Sequence, residues 1–143
     1  MSLYGDYDPK NIFARILAGD IPCAKVYEDA RVLSFMDAFP QTRGHTLVIP
    51  KVAARNLFDI SSEHLQNLIH HTQRIGRAVR DALEPEGVRI AQFNGEVGGQ
   101  TVFHLHFHII PCYANGAVKH HASGQMADLK DLQDMAARIK AKL

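Results

Sequence analysis

The chain has 143 residues, 46% of them hydrophobic, which is near the commonest domain size and enough for one packed core. Lys+Arg number 16 and Asp+Glu 15, for a formal charge of +1; this excludes a surface built to neutralise a nucleic-acid polymer but leaves room for a single nucleotide. Cys23 and Cys112 stand far apart without a C-x-x-C, the N-terminal MSLYGDYDPK lacks the apolar run of a signal peptide, and no apolar stretch approaches the ~18 residues of a membrane span, so a reduced, cytoplasmic setting is expected. Met1-Ser2-Leu3 reads equally as a native start or as an expression scar.

The first expected element is a short helix with Asp8 as N-cap, Pro9 in its first turn, apolar Ile12, Phe13, Ile16 and Leu17, and Gly19 as its stop. Three β-type runs follow at 24–27, 32–37 and 46–50, separated by turn-rich segments. From Ser62, Leu65, Leu68, Ile69, Ile75, Val79 and Leu83 recur at helical spacing until Glu84-Pro85-Glu86-Gly87 breaks the pattern. Two more strands are expected at 88–93 and 101–110, joined by NGEVGGQ, whose glycines suit an antiparallel return. A last helix starts near Met126, with Leu129, Leu132, Met135/Ala136 and Ile139 on one face. The sum is an α+β domain, a five-stranded antiparallel sheet with one long and one C-terminal helix.

Within the last strand, Phe103 to Ile110 reads FHLHFHII. Side chains alternate along a strand, so His104, His106 and His108 are expected on one face, with Phe103, Leu105, Phe107 and Ile109 on the core face. A lone histidine is most often a surface residue; three at period two on a rigid element point to chemistry. One reading is metal binding by a histidine pair. All three cannot comfortably hold one ion, because a rise of roughly 3.3 Å per residue separates His104 from His108 by about 13 Å of backbone. The other reading is nucleophilic catalysis: one neutral imidazole attacks phosphorus while its neighbours bind phosphate oxygens and protonate the leaving group. Gly98-Gly99-Gln100-Thr101 just before the strand could supply an anion cradle, although a Gly-Gly turn is more often only a turn.

QTVFHLHFHII resembles the H-φ-H-φ-H-φ-φ signature of the histidine-triad (HIT) superfamily of nucleotide hydrolases and transferases. NIFARILAGDIPCAKVYED, VLSFMDAFPQTRGHTLVIPK and NGEVGGQ extend the resemblance over residues 11–111, leaving 112–143 as a C-terminal extension with its helix, all within a single domain. The likeness is greatest to the Hint-like branch, which cleaves purine nucleoside phosphoramidates; diadenosine-polyphosphate hydrolases are relatives.

The resemblance implies that His106 is the nucleophile forming a nucleotidyl-imidazole. It gives His108 to the phosphoryl and leaving-group atoms, His104 to the supporting network, and makes His45 the additional upstream histidine of the catalytic set. It assigns Asn94, Gly99, Gln100 and Thr101 to phosphate, Asp37 to the ribose hydroxyls, and Ile12, Phe13, Ile16, Phe35 and Leu47 to an apolar base pocket, each of which could equally be core. It implies a purine nucleotide substrate, no cofactor, and a homodimer in which the long helix and the 101–110 strand approach their two-fold mates. Many relatives carry a zinc-binding C-x-x-C at the first helix; this chain has Asn11-Ile12-Phe13-Ala14 there, so no metal is expected. His64, His70 and His71 are expected to be solvated, Cys112 to be passive, and His120-His121 to lie near the site or simply on the surface. The alternative from another class is a nucleotide-binding scaffold with little turnover.

Overall fold

The computed structural model describes residues 2–116 and 125–143. The elements in chain order are α1 (Ile12–Leu17), β1 (Lys25–Glu28), β2 (Val32–Met36), β3 (Thr46–Pro50), α2 (Ser62–Leu83), β4 (Gly87–Ala91), β5 (Phe107–Cys112) and α3 (Leu129–Lys140). All the strands pair antiparallel, in the order β1-β2-β3-β5-β4. The expected fold class holds, with several boundaries moved.

α1 starts one turn later than the Asp8 cap predicts. The Asp8 carboxylate accepts from Lys10 N at 2.8 Å and its carbonyl from Asn11 N at 3.2 Å, closing a turn around Pro9. The Asn11 side chain then caps the helix by accepting from Ala14 N. α2 begins at a Ser61 cap, as its amphipathic spacing requires, and ends on Glu84 in the left-handed region. α3 opens at Leu129 behind an Asp128 cap, three residues beyond the expected start.

The central strands β2 and β3 are buried on both faces. Val26, Val32 and Val48 pack with Leu68, Ile75 and Val79 of α2 and Leu132, Ala136 and Ile139 of α3. On the other face, Leu33, Phe35, Leu47 and Ile49 pack against Phe13. This two-sided burial explains why β2 and β3 read as continuous apolar runs, a pattern usual for strands covered on both sides. Gly44 has φ +92, and a Cβ there would meet Leu83 Cδ1 at 2.2 Å, so the turn into β3 closes directly on the end of α2.

Two expectations about histidines fail. The ladder of β5 begins at Phe107, so only His108 of the three lies in the strand; residues 101–106 approach it outside the ladder, where Leu105 N donates to Ala54 O at 2.8 Å. His71 is not solvated: it is 8% exposed, stacks on Tyr27 and lies 3.3 Å from Asp29 Oδ2, joining α2 to the β1–β2 turn. His120 and His121 fall outside the described residues.

Candidate active site

A cleft of about 930 Å³ opens between α1, the C-terminal ends of β2 and β5's approach, and the start of α3. Ile12, Phe13, Ile16, Phe35, Asp37, Leu47, Thr101, His106 and His108 line it. The apolar set expected to hold a base is thus one surface, contiguous with two of the histidines. Phe13 ties them together, edge-on to Phe35 at 5.4 Å and perpendicular to His106 at 4.9 Å. Nothing in the spacing of single residues had pointed to Met36, Ala38, Phe39 or the Met126, Leu129 and Leu132 wall, which also line it. That wall is brought in where Ala127 N donates to Ala38 O at 2.8 Å.

Of the residues assigned to phosphate, Thr101 lies in the cleft lining. Gln100 is 2% exposed and its amide is committed to the loop: Oε1 accepts from Gly95 N at 2.9 Å, and Nε2 donates to Arg55 O at 2.7 Å and Val102 O at 3.0 Å. Asn94 accepts from Leu57 N at 2.9 Å and exchanges bonds with Gln92. Gly99 takes φ +106 against Phe93, and a Cβ on Gly98 would lie 2.5 Å from Asn94 O. These residues shape the loop that delivers Thr101 to the site.

Backbone groups set the proton positions of the histidines. His104 Nε2 lies 2.8 Å from Pro50 O, which can only accept, so Nε2 carries a proton. Burial holds the His104 pKa below the ordinary histidine value, against the opposing pull of the Pro50 bond, so the ring is neutral and its Nδ1 accepts. His106 Nδ1 donates to His104 O at 2.7 Å, so when the ring is neutral Nε2 is the nitrogen with the lone pair. His45 Nδ1 accepts from Gln41 N at 3.0 Å, so its Nε2 bears the proton and donates it to His108 Nδ1 at 2.9 Å. His108 therefore carries its own proton on Nε2. The rings of His106 and His108 lie 4.8 Å apart, so a lone pair and an N–H donor stand side by side.

Asp37 completes the group, with Oδ2 3.4 Å from His45 Nε2. Desolvation raises its pKa from 3.8 to about 6, opposed by the 2.8 Å bond from Phe39 N. Asp37, His45 and His108 each place a ligand-type atom within 4.8 Å of the others. They do not fit a metal, because the nitrogen that His45 turns toward the group bears its proton. The first helix does not fit one either: Asn11 is a helix cap, Ala14 has no donor atom, and both nitrogens of the nearby His104 are hydrogen-bonded.

This architecture and the four-histidine cluster are those of histidine-triad proteins. A model of the HIT domain matches residues 18–115, and the chain belongs to that family. It is 46% identical over 137 residues to protein hit of Bacillus subtilis, covering 92% of this chain and 93% of that one. It is 40% identical over 100 residues to the adenosine 5′-monophosphoramidase hnt1 of Schizosaccharomyces pombe, covering 70% and 72%. Among solved structures, a Hit-like protein from Bartonella henselae superposes with a TM-score of 0.89 at 42% identity, covering 96% of this chain and 100% of that one. A zinc-bound histidine triad protein from Mycobacterium smegmatis gives 0.80 at 34% identity, covering 93% and 92%.

Proposed function

We propose that the protein hydrolyses nucleoside phosphoramidates or related nucleoside phosphoanhydrides, releasing a purine nucleoside monophosphate, AMP or GMP, through a covalent intermediate on His106. The observation that carries this reading is the proton pattern: a buried imidazole holds its lone pair on Nε2 while its neighbour holds a proton on Nε2, both at the end of an apolar cleft. The relative from Schizosaccharomyces pombe, named an adenosine 5′-monophosphoramidase, supports the choice of substrate class.

In the first step His106 Nε2 attacks phosphorus and forms a P–N bond. The bond to the leaving group breaks, and its electron pair departs with that group, which accepts a hydrogen bond from His108 Nε2–H and takes its proton from solvent. Water then attacks phosphorus, the P–N bond breaks with its pair returning to His106, and the proton lost by water passes to solvent. Splitting the displacement this way substitutes a positioned nitrogen for unpositioned solvent. Thr101 opposes the phosphoryl charge, Asp37 accepts from the ribose hydroxyls, and the Ile12, Phe13, Ile16, Phe35 and Leu47 surface takes the base. An apolar slot reads ring edges weakly, so purines are preferred with little choice between adenine and guanine.

The working unit is a homodimer. β5 is interior to the sheet, and of the two edge strands, β1 and β4, it is β4 that presents apolar Val88 and Ile90, 38% and 50% exposed, for pairing.

The test is an acid quench during turnover of an adenosine phosphoramidate. One nucleotide mass on the peptide containing His106 is expected, and His106→Asn should lower kcat about 10³-fold while leaving nucleotide affinity within about tenfold. An adduct on another residue, or near-normal kcat in the variant, would leave a nucleotide-binding scaffold in its place.

A further inference from the structure

Tyr7 precedes α1 and lies outside the stretch matched by the family model. Its hydroxyl nevertheless sits 2.6 Å from His104 Nδ1, with the phenol ring edge-on to the imidazole at 5.6 Å. Because Pro50 O fixes the His104 proton on Nε2, Nδ1 is an acceptor, and the Tyr7 O–H donates to it. Burial raises the Tyr7 pKa above its ordinary value, so the phenol keeps that proton through the neutral range. His104 is fully buried, and its carbonyl is the group that takes the His106 Nδ1 proton.

The segment bearing Tyr7 is itself held. The Arg55 guanidinium, on a residue only 4% exposed, donates to Asp6 O at 3.3 Å and stacks 4.5 Å over the Phe103 ring. On the other side of Tyr7, the Asp8 turn fixes the entry to α1. A hydroxyl remote in sequence is thereby delivered to the one His104 nitrogen that β3 does not hold.

We propose that Tyr7 is a positioning residue for the nucleophile, holding the His104 ring at Nδ1 while Pro50 O holds it at Nε2, so that the His104 carbonyl keeps His106 with its lone pair toward the cleft. This rests on the reading of His106 as nucleophile. Without the hydroxyl, a buried ring nitrogen loses its donor, the ring is held by the Pro50 bond alone, and the residue whose carbonyl orients His106 loses one of its two side-chain anchors.

The test pairs Tyr7→Phe with nitrogen spectroscopy of the imidazoles. In the full-length wild-type protein, long-range ¹H–¹⁵N spectra at neutral pH should show His104 as the neutral Nε2–H tautomer. In Tyr7→Phe its Nδ1 resonance should move downfield, toward that of an unbonded pyridine-type nitrogen. kcat for an adenosine phosphoramidate should fall about tenfold with the Kd for AMP unchanged within twofold, the split expected when geometry rather than binding is lost. A wild-type His104 protonated on Nδ1 would overturn the proposal even if the variant failed to fold. So would an unmoved Nδ1 resonance, or an unchanged kcat alongside a moved one. Failure to find a nucleotidyl-His106 in the wild-type protein would instead remove the catalytic reading and leave the spectroscopic result standing by itself.

Discussion

Replacing Asp37 with asparagine should make the protein more stable at high pH, by an amount that its burial sets. The Asp37 side chain is 15% exposed, and desolvation lifts its pKa from 3.8 to about 6. Each pKa step corresponds to about 1.36 kcal/mol, so ionising this carboxyl in the folded chain rather than the unfolded one costs ~3 kcal/mol. The sign follows from the folded pKa lying above the unfolded one. The wild-type protein enjoys the full relative stability of a neutral Asp37 below about pH 3.8 and loses it as pH rises through 6. Asparagine keeps an oxygen to accept from Phe39 N and cannot ionise. Urea denaturation of wild type and Asp37→Asn at one protein concentration should therefore give nearly equal stabilities at pH 4. At pH 8 the variant should lead by about 2–3 kcal/mol, several degrees in Tm for a chain of this size. A variant no more stable than wild type at pH 8, or a gap independent of pH, would refute this account. The same ionisation supplies the acceptor proposed for the ribose, so wild-type affinity for AMP should rise between pH 5 and 7.5.

Gly44→Ala should destabilise by about 2–4 kcal/mol, because its Cβ would stand 2.2 Å from Leu83 Cδ1 at φ +92; a melting temperature within a degree of wild type would contradict the close approach of that turn. Metal analysis should find no stoichiometric zinc and turnover should survive EDTA; one zinc per chain, or activity lost to chelator and restored by zinc, would show that the histidine protons yield to a metal. Light scattering at micromolar concentration should give twice 15.9 kDa. A charged Ile90→Lys variant should shift the mass toward the monomer, whereas a wild-type monomer would remove the β4 pairing.

What the sequence made legible divides along physical lines. α2 was readable because twenty-two residues of amphipathic spacing run from a serine cap to a breaker, all local signals. β2 and β3 were readable as apolar runs between turns. The histidine strand was misplaced because strict alternation continues through His104-Leu105-His106 without the ladder that would make it a strand; Leu105 is buried through a bond to Ala54 instead. Period two reports which way side chains point and says nothing about where the partner strand ends. His71 was misjudged because its cover comes from Tyr27 and Asp29, on elements that no helical wheel contains. The Tyr7–His104 contact spans 97 residues of sequence and left no local trace. Gln100 shows the same limit from the other side, since its position beside a glycine turn suits an anion cradle, while its buried amide is committed to its own loop.

The proton placement on His104, His106 and His45 is dictated by main-chain atoms: the carbonyls of Pro50 and His104 and the amide of Gln41. The carbonyls are present whatever amino acid occupies the position, and the amide with any but proline. A substitution at Gln41, or in the cleft wall at Met36, Ala38 or Met126, can therefore alter what enters the cleft without rewriting which nitrogen attacks and which donates. Recognition and reactivity are separable inheritances in this chain, so a redesign aimed at a different leaving group can draw on the wall residues and treat the reactive pair as already built.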